Sequence, residues 1–498
     1  MDKILILLAV LLPIFGSLPI AIIKWKKRSH MMVYAEGLVL LNTALTFYLL
    51  TMHFGSSVMV LQFTGELTIR FHIDGLSAVF AGLISALWPL ATLYAFEYMK
   101  HEGHERIFFM FYICTYGVTM GIALAANLLT MYCFYEMLTM VTVPLVMHTL
   151  TREAILASRK YLYYSLGGAA FAFIGMIFLI VYGTSLEFVP GGVLDLTKAN
   201  AHRNVLLLVY VMTFFGFGVK AAIFPFNAWL PQAGVAPTPV TALLHAVAVV
   251  KSGAFAIMRV TYYSFGTEFL RGTWAQTVVM AFAMFTIVYG CSMAVKETHF
   301  KRRLAYSTIS NLSYILFGVT MMTPAGLVGA MSHMIFHGVM KIASFFCAGA
   351  VICQSERHYV HELNGLGKRM PKVFAVFTIS AFALMGVPGL CGFISKWNLA
   401  AAAVESGNAL AYGGVACLLI SALLTAIYML SVVIRAYFLK EKDITPETEG
   451  SHKVPVESIT DPGWMMMVPL VLFCIAMVVF GLHPQPLIDF FWRVAGGM

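Results

Sequence analysis

Apolar runs of about twenty residues, almost free of charge, recur from one end of this chain to the other, and that length is what a helix needs to cross a hydrocarbon layer of about 30 Å. A transmembrane barrel would instead show short alternating segments, so strands are not expected. The runs predict about fourteen spans, at 3–23, 32–51, 74–96, 108–125, 127–147, 161–183, 205–224, 239–262, 274–295, 304–322, 325–353, 372–396, 410–438 and 464–482. The fold class is therefore an all-α polytopic membrane protein. Charged residues make up 11% of the chain, where a soluble domain carries about 25%.

The net charge of +9 follows from topology and does not call for nucleic acid. Most Lys and Arg residues fall in alternate loops, among them Lys24, Lys26, Lys27, Arg28, Lys301, Arg302 and Arg303. Basic loops stay on the cytoplasmic side, which places both termini outside a cell (inner) membrane. Anionic lipid would add to the attraction. The first run lacks a small-residue cleavage site and reads as a retained span. No hydrophilic stretch is long enough for a separate domain, and the most polar loop, 440–463, is an inner connection.

Against this background the buried charges stand out. Glu136 is the only Asp, Glu, Lys or Arg between Arg106 and Arg152. A carboxyl inside a span costs about 2.5–3.5 kcal/mol on insertion scales, so it should face protein or water and have a function. Lys220, Lys251, Lys341 and Lys396 repeat the pattern. In the eleventh span His333, His337 and Lys341 follow at i, i+4 and i+8, on one helix face that drifts by about 40° per step over roughly 12 Å. Imidazole accepts on one nitrogen and donates on the other, and a lysine taken out of water gives up its proton more readily. His245 lies six residues before Lys251 in the eighth span. Lys220 is the natural partner for Glu136, as a switchable relay pair or as a static pair holding two helices in register. Asp74 reads as a helix-end cap, and Glu36 fits either role.

Two spans look broken. One break follows Lys220, at Pro225 and the cluster Pro231, Pro237 and Pro239; the other is Gly386-Val-Pro-Gly389 with Lys396 just beyond. Paired interruptions in corresponding places point to an inverted repeat with a transport path between its halves. The eight cysteines form no C-x-x-C pair, and no phosphate-binding or dinucleotide-binding glycine motif occurs. No metal and no cofactor are expected.

The segments FYEMLTMVTVPLV, GVKAAIFPF, AWLPQAG, APTPVTALLHAVAVVK, KRRLAYSTISNLSYILFG, SHMIFHGVMKIASFFCAGAVI, LNGLGKRMP and GVPGLCGFISKW resemble, in the same order, the antiporter-like subunits of respiratory complex I, membrane-bound hydrogenases and Mrp cation/proton antiporters. The resemblance runs from about residue 70 to about residue 440. It implies two inverted five-helix repeats with broken helices 7 and 12: N-terminal helices over 1–106, repeats over 107–262 and 263–438, and an inner loop with helix 14 over 439–498. It also implies a proton relay through Glu136, Lys220, Lys251, His333, His337, Lys341 and Lys396, to which the residues themselves add His245, run without a cofactor beside other membrane subunits, with protons, or protons and sodium, as the cargo. FYEMLT and GFISKW look closest to the Mrp D subunit and its hydrogenase counterpart, whereas a complex I-type NADH-quinone oxidoreductase subunit is the alternative. Asn227 and Gly234 depart from many relatives, which bears on uptake through 225–235 and not on the central row. A rival from another class is an oxidoreductase subunit binding haem or quinone through His245, His333 and His337; a solitary solute transporter is a third reading.

Overall fold

A computed structural model describes residues 2–65, 67–100, 102–440, 454 and 456–497. Among these, eleven helices are long and apolar enough to cross a membrane. The helices are α1 (Asp2–Gly16, continued by Leu18–Ile22), α2 (Arg28–Met52), α3 (Gly75–Tyr98), α4 (Glu105–Ala123), α5 (Leu128–Val146), α6 (Arg152–Tyr182) and α7 (Arg203–Gly218). Next come α8, in the pieces Thr238–Ala246 and Val249–Arg259, then α9 (Trp274–Lys296), α10 (Phe300–Thr320) and α11 (Pro324–Ser355). The series ends with α12, in the pieces Pro371–Met385 and Cys391–Glu405, followed by α13 (Ala409–Phe438) and α14 (Trp464–Leu482). Each expected span thus has its helix. Those outside the eleven are α7, α10 and α12, of which α7 and α12 are interrupted and α10 begins on a basic turn.

Local chemistry sets many of the starts. Asp74, Asn127, Thr151, Thr273, Thr323 and Asn408 each accept a backbone N–H of the first turn, and Pro324 and Pro371 occupy positions where no donor is lost. Burial then sorts the helices by depth. The apolar windows of α8 and α11 are buried throughout, whereas only a third of those in α1, α2 and α14 is covered. The two deepest helices carry His245, Lys251, His333, His337 and Lys341, five of the eight candidate relay residues. Tyr94 of α3 stacks on Phe346 of α11 at 3.7 Å and donates to its carbonyl at 2.8 Å, fixing α3 against the centre.

The expectation of no strands fails on one face. β1 (Ser57–Thr64) and β2 (Leu67–His72) form an antiparallel hairpin between α2 and α3. Its Val, Phe, Thr and Ile content suits a pleated surface, but the segment is too short and polar for a span to reveal it. Residues 124–128 and 186–188 extend the pairing, so the hairpin stitches several helix ends together. A further helix, α15 (Gln485–Ala495), occupies what reads from sequence as a tail, and lies on the same face, with Val494 against Gly75. Most of the polar inner loop 440–463 lies outside the described residues.

Candidate functional site: a buried row of lysines and histidines

The row on α11 is as regular as its spacing suggests. His333 and His337 stack with ring centroids 5.7 Å apart, and Tyr314 of α10 stacks on His333 at 5.0 Å. His333 Nδ1 meets the Ser395 hydroxyl at 2.9 Å, and His337 Nδ1 meets Lys251 Nζ of α8 at 2.7 Å. The Nε2 atom of each ring has no hydrogen-bond partner. Lys341 turns elsewhere and donates to the Ser307 hydroxyl at 2.6 Å. All four side chains are fully buried.

Lys251 is brought to His337 by a break in α8 that no Gly or Pro announces. Val247 and Ala248 both donate to the Leu243 carbonyl, and the helix resumes at Val249. His245 sits just before this break, packs on Phe345 at 4.7 Å, and has no hydrogen bond at either nitrogen. The structure therefore does not join His245 directly to Lys251. Each buried unpaired nitrogen is an open position for a proton or a water.

Lys220 follows the end of α7, where the backbone leaves the helix. Irregular backbone survives at membrane depth only when protein satisfies it. Here the Tyr135 hydroxyl caps the Phe217 carbonyl at 3.0 Å, Trp229 caps Val219 at 2.9 Å, and Thr286 accepts the Phe224 N–H at 3.1 Å. Gly253 of α8 packs against this segment so closely that a Cβ there would lie 2.6 Å from the Ala221 nitrogen. Lys220 and Glu136 do not form an ion pair. Lys220 donates to the Tyr135 carbonyl and lies 3.5 Å from the centre of the Tyr135 ring, one residue short of Glu136. The Oε1 atom of Glu136 is buried without a partner. The two groups are neighbours, and the Glu136 Oε1 keeps an unused hydrogen-bonding position.

At the far end, Lys396 donates to the Leu384 and Met385 carbonyls at 2.6 and 3.1 Å, capping the first piece of α12 at its break. Gly386 and Gly389 there take left-handed backbone, at φ +91° and +88°, which glycine adopts without strain. Lys396 also lies 5.4 Å from the Tyr314 ring centre, and Ser395, its neighbour in sequence, holds His333.

The arrangement places titratable groups on or beside five helices, and His333 and His337 stack on one helix and do not face each other across a gap. Among the described residues no group of three or more His, Cys, Asp or Glu could hold a metal. Ser307, Ser395 and Tyr428 join the site without a sequence signal, because a hydroxyl in an apolar helix looks the same whether it bonds its own backbone or a distant helix. Asp74 caps α3 by accepting the Ser77 N–H at 2.8 Å, as expected, but it also pairs with fully buried Arg259 at 2.5 and 2.7 Å. Glu36 has an unpartnered Oε2 and no contact with the row.

Comparison with known proteins fits this geometry. The family model described as "NADH:quinone oxidoreductase/Mrp antiporter, TM" matches residues 125–425, and that of "NADH-Ubiquinone oxidoreductase (complex I), chain 5 N-terminus" matches 61–109. NAD(P)H-quinone oxidoreductase chain 4-3 of Nostoc sp. is 27% identical over 447 residues, covering 86% of this chain and 77% of that one. NADH-quinone oxidoreductase subunit N of Desulforudis audaxviator is 29% identical over 433 residues, covering 84% and 83%. In fold, the chain matches the archaeal membrane-bound sulfane sulfur reductase at a TM-score of 0.84 and 22% identity, over 99% of this chain and 97% of that one. The Mrp complex from Dietzia sp. matches at 0.84 and 20% identity, with the same coverage of 99% and 97%. Respiratory complex I from Thermus thermophilus matches at 0.79 and 22% identity, over 98% of each chain. This multi-pass membrane chain belongs to the transmembrane family of NADH:quinone oxidoreductases and Mrp antiporters.

Proposed function

We propose that this chain is a proton-translocating subunit of a multisubunit membrane complex, moving protons along Glu136, Lys220, Lys251, His337, His333 and Lys396, with His245 and Lys341 beside the line. The observation that carries the reading is the Lys251–His337 contact of 2.7 Å, made where α8 breaks and flanked by imidazole nitrogens with no partner. Two such breaks, in α7 and α12, support two inverted repeats over 107–262 and 263–438, each with its own lysine. The basic loops support placement in the inner cell membrane with both termini outside. Neighbouring membrane subunits or an ion gradient supply the driving force.

The Mrp or hydrogenase type is the primary reading, from FYEMLT and GFISKW. The complex I type is the second, favoured by the curated relatives at 27–29% identity. The test is proton transport in inverted vesicles carrying the whole native complex, with and without sodium and with and without an electron donor. Glu136→Gln and Lys220→Ala should each abolish transport while the complex still assembles. Sodium dependence of the wild type supports an antiporter, and dependence on the donor supports a redox-driven pump. Wild-type rates in both variants refute the relay.

A further inference from the structure

Lys341 stands off the row it belongs to by sequence. Its ammonium is bound to Ser307 at 2.6 Å, and the next hydroxyl, that of Tyr428 on α13, lies 2.6 Å from Ser307. Tyr428 donates to Thr425 Oγ1 at 3.2 Å, and Thr425 donates to the Ser421 carbonyl at 2.7 Å. Each of these side chains is buried. The order of donors is forced from the far end. Thr425 spends its proton on the carbonyl, so its oxygen accepts from the phenol; the phenol oxygen then accepts from Ser307, whose lone pair faces Lys341. A carbonyl has no proton to pass on, so the chain is a dead end for protons and cannot be a conduit. Hydrogen bonds polarised in one direction reinforce each other, which makes Ser307 a strengthened acceptor for a cation. Cys291 of α9 braces the far end, with its sulfur 2.9 Å from the Ser421 hydroxyl and 3.0 Å from that of Ser310.

We infer that Ser307, Tyr428 and Thr425 form a dock for protonated Lys341, making this lysine a carrier with two positions. Docked, it holds its proton between α10 and α13. Swung back to α11 while Lys251 is a neutral amine that accepts the Nδ1–H of His337, it gives one N–H proton to the unpartnered Nε2 of that ring, so that the ammonium becomes an amine and the imidazole an imidazolium. Lys341 acts electrostatically on Lys251 and His245 of α8 and on His337 of its own helix, and Cys291 of α9 acts on Lys341. A charged Lys251 repels the ammonium toward the dock, which ties the position of Lys341 to the proton on its neighbour. Ser307 and Tyr428 are positioning residues in this scheme, which rests on the relay reading above.

The test is initial proton transport by the whole native complex in inverted vesicles, with assembly checked by native electrophoresis. Tyr428→Phe keeps the ring and removes the link; it and Ser307→Ala should each slow transport about tenfold, the worth of one hydrogen bond to a charged group. The double variant should be no slower than either alone, because the links act in series. Ser307→Thr, which keeps the hydroxyl, should transport within about twofold of wild type. Wild-type rates in Tyr428→Phe, losses that multiply in the double variant, or an assembled Ser307→Thr as slow as Ser307→Ala would each overturn the dock. If Ser307→Ala fails to assemble, the isosteric Tyr428→Phe decides. Wild-type transport by both Glu136→Gln and Lys220→Ala would refute the relay itself, whereas an inactive Glu136→Gln beside an unaffected Tyr428→Phe refutes the dock alone.

Discussion

Lys251 and His337 show how much a single contact decides. They are 86 residues apart, and each is the other's hydrogen-bond partner inside a fully buried site. A buried polar group that loses its partner bears the full cost of desolvation, and a bond to a charged group is worth about 1.5–3 kcal/mol. Lys251→Met should therefore slow proton transport at least about tenfold, and Lys251→Met with His337→Gln should be no worse than the single change. Initial rates in vesicles check both statements, and independent, multiplying losses would mean the two residues serve different steps. The residues themselves were legible: an ammonium or imidazole in an apolar run cannot be bland. Their pairing was not, because the one expected pair, Lys220 with Glu136, follows charge complementarity, whereas the contacts follow helix packing.

Between the helices, one glycine sets the spacing on which the Lys220 segment depends. A Cβ at Gly253 would lie 2.6 Å from the Ala221 nitrogen and 3.0 Å from the Lys220 carbonyl carbon, and backbone cannot give way as a side-chain tip can. Gly253→Ala should push the Lys220 segment away from α8, lowering both transport and thermal stability by an overpacking cost of about 1–3 kcal/mol. Gly413→Ala, which meets only the flexible end of Met284 at 3.4 Å, is the control expected to change neither. The turn before α10 pairs with the segment after α11, through Phe300 N–H to the His358 carbonyl and Val360 N–H to the Thr298 carbonyl. His299 lies in this turn, and burial together with the charges of Lys301, Arg302 and His358 pushes its imidazole down to about 4 from an ordinary 6.5. An unfolded turn takes up a proton as pH falls through 6.5, whereas the folded one resists until about 4. The stability of the turn is thus full above pH 6.5 and is lost as pH falls toward 4. Amide exchange at Phe300 and Val360, corrected for intrinsic rates, should accelerate from pH 7 to pH 5, and His299→Gln should flatten that dependence.

For the molecule as a whole, the alternation of basic and neutral loops predicts the membrane orientation, and that prediction is open to a direct check. Gln485→Cys, on the hairpin face, should react with an impermeant maleimide added outside intact cells, and Arg369→Cys only after the inner side is opened; the reverse pattern would invert the topology. The sequence by itself determined the class, the positions of the spans, the breaks at Pro225 and Gly386 and the identity of the titratable residues, because each rests on local chemistry: an apolar run, a missing N–H, a charge without water. The hairpin at 57–72 escaped because a short amphipathic ribbon carries little signal beside long apolar runs. The break at Val247 escaped because nothing in HAVAVVK forbids a helix. Only the tertiary structure decided that break, the placing of Arg259 on Asp74, the pairing of Lys251 with His337 and the turn of Lys341 toward Ser307. Each of these is settled by which helix lies alongside which, and packing between distant segments is a property of the assembled bundle, not of any stretch of chain.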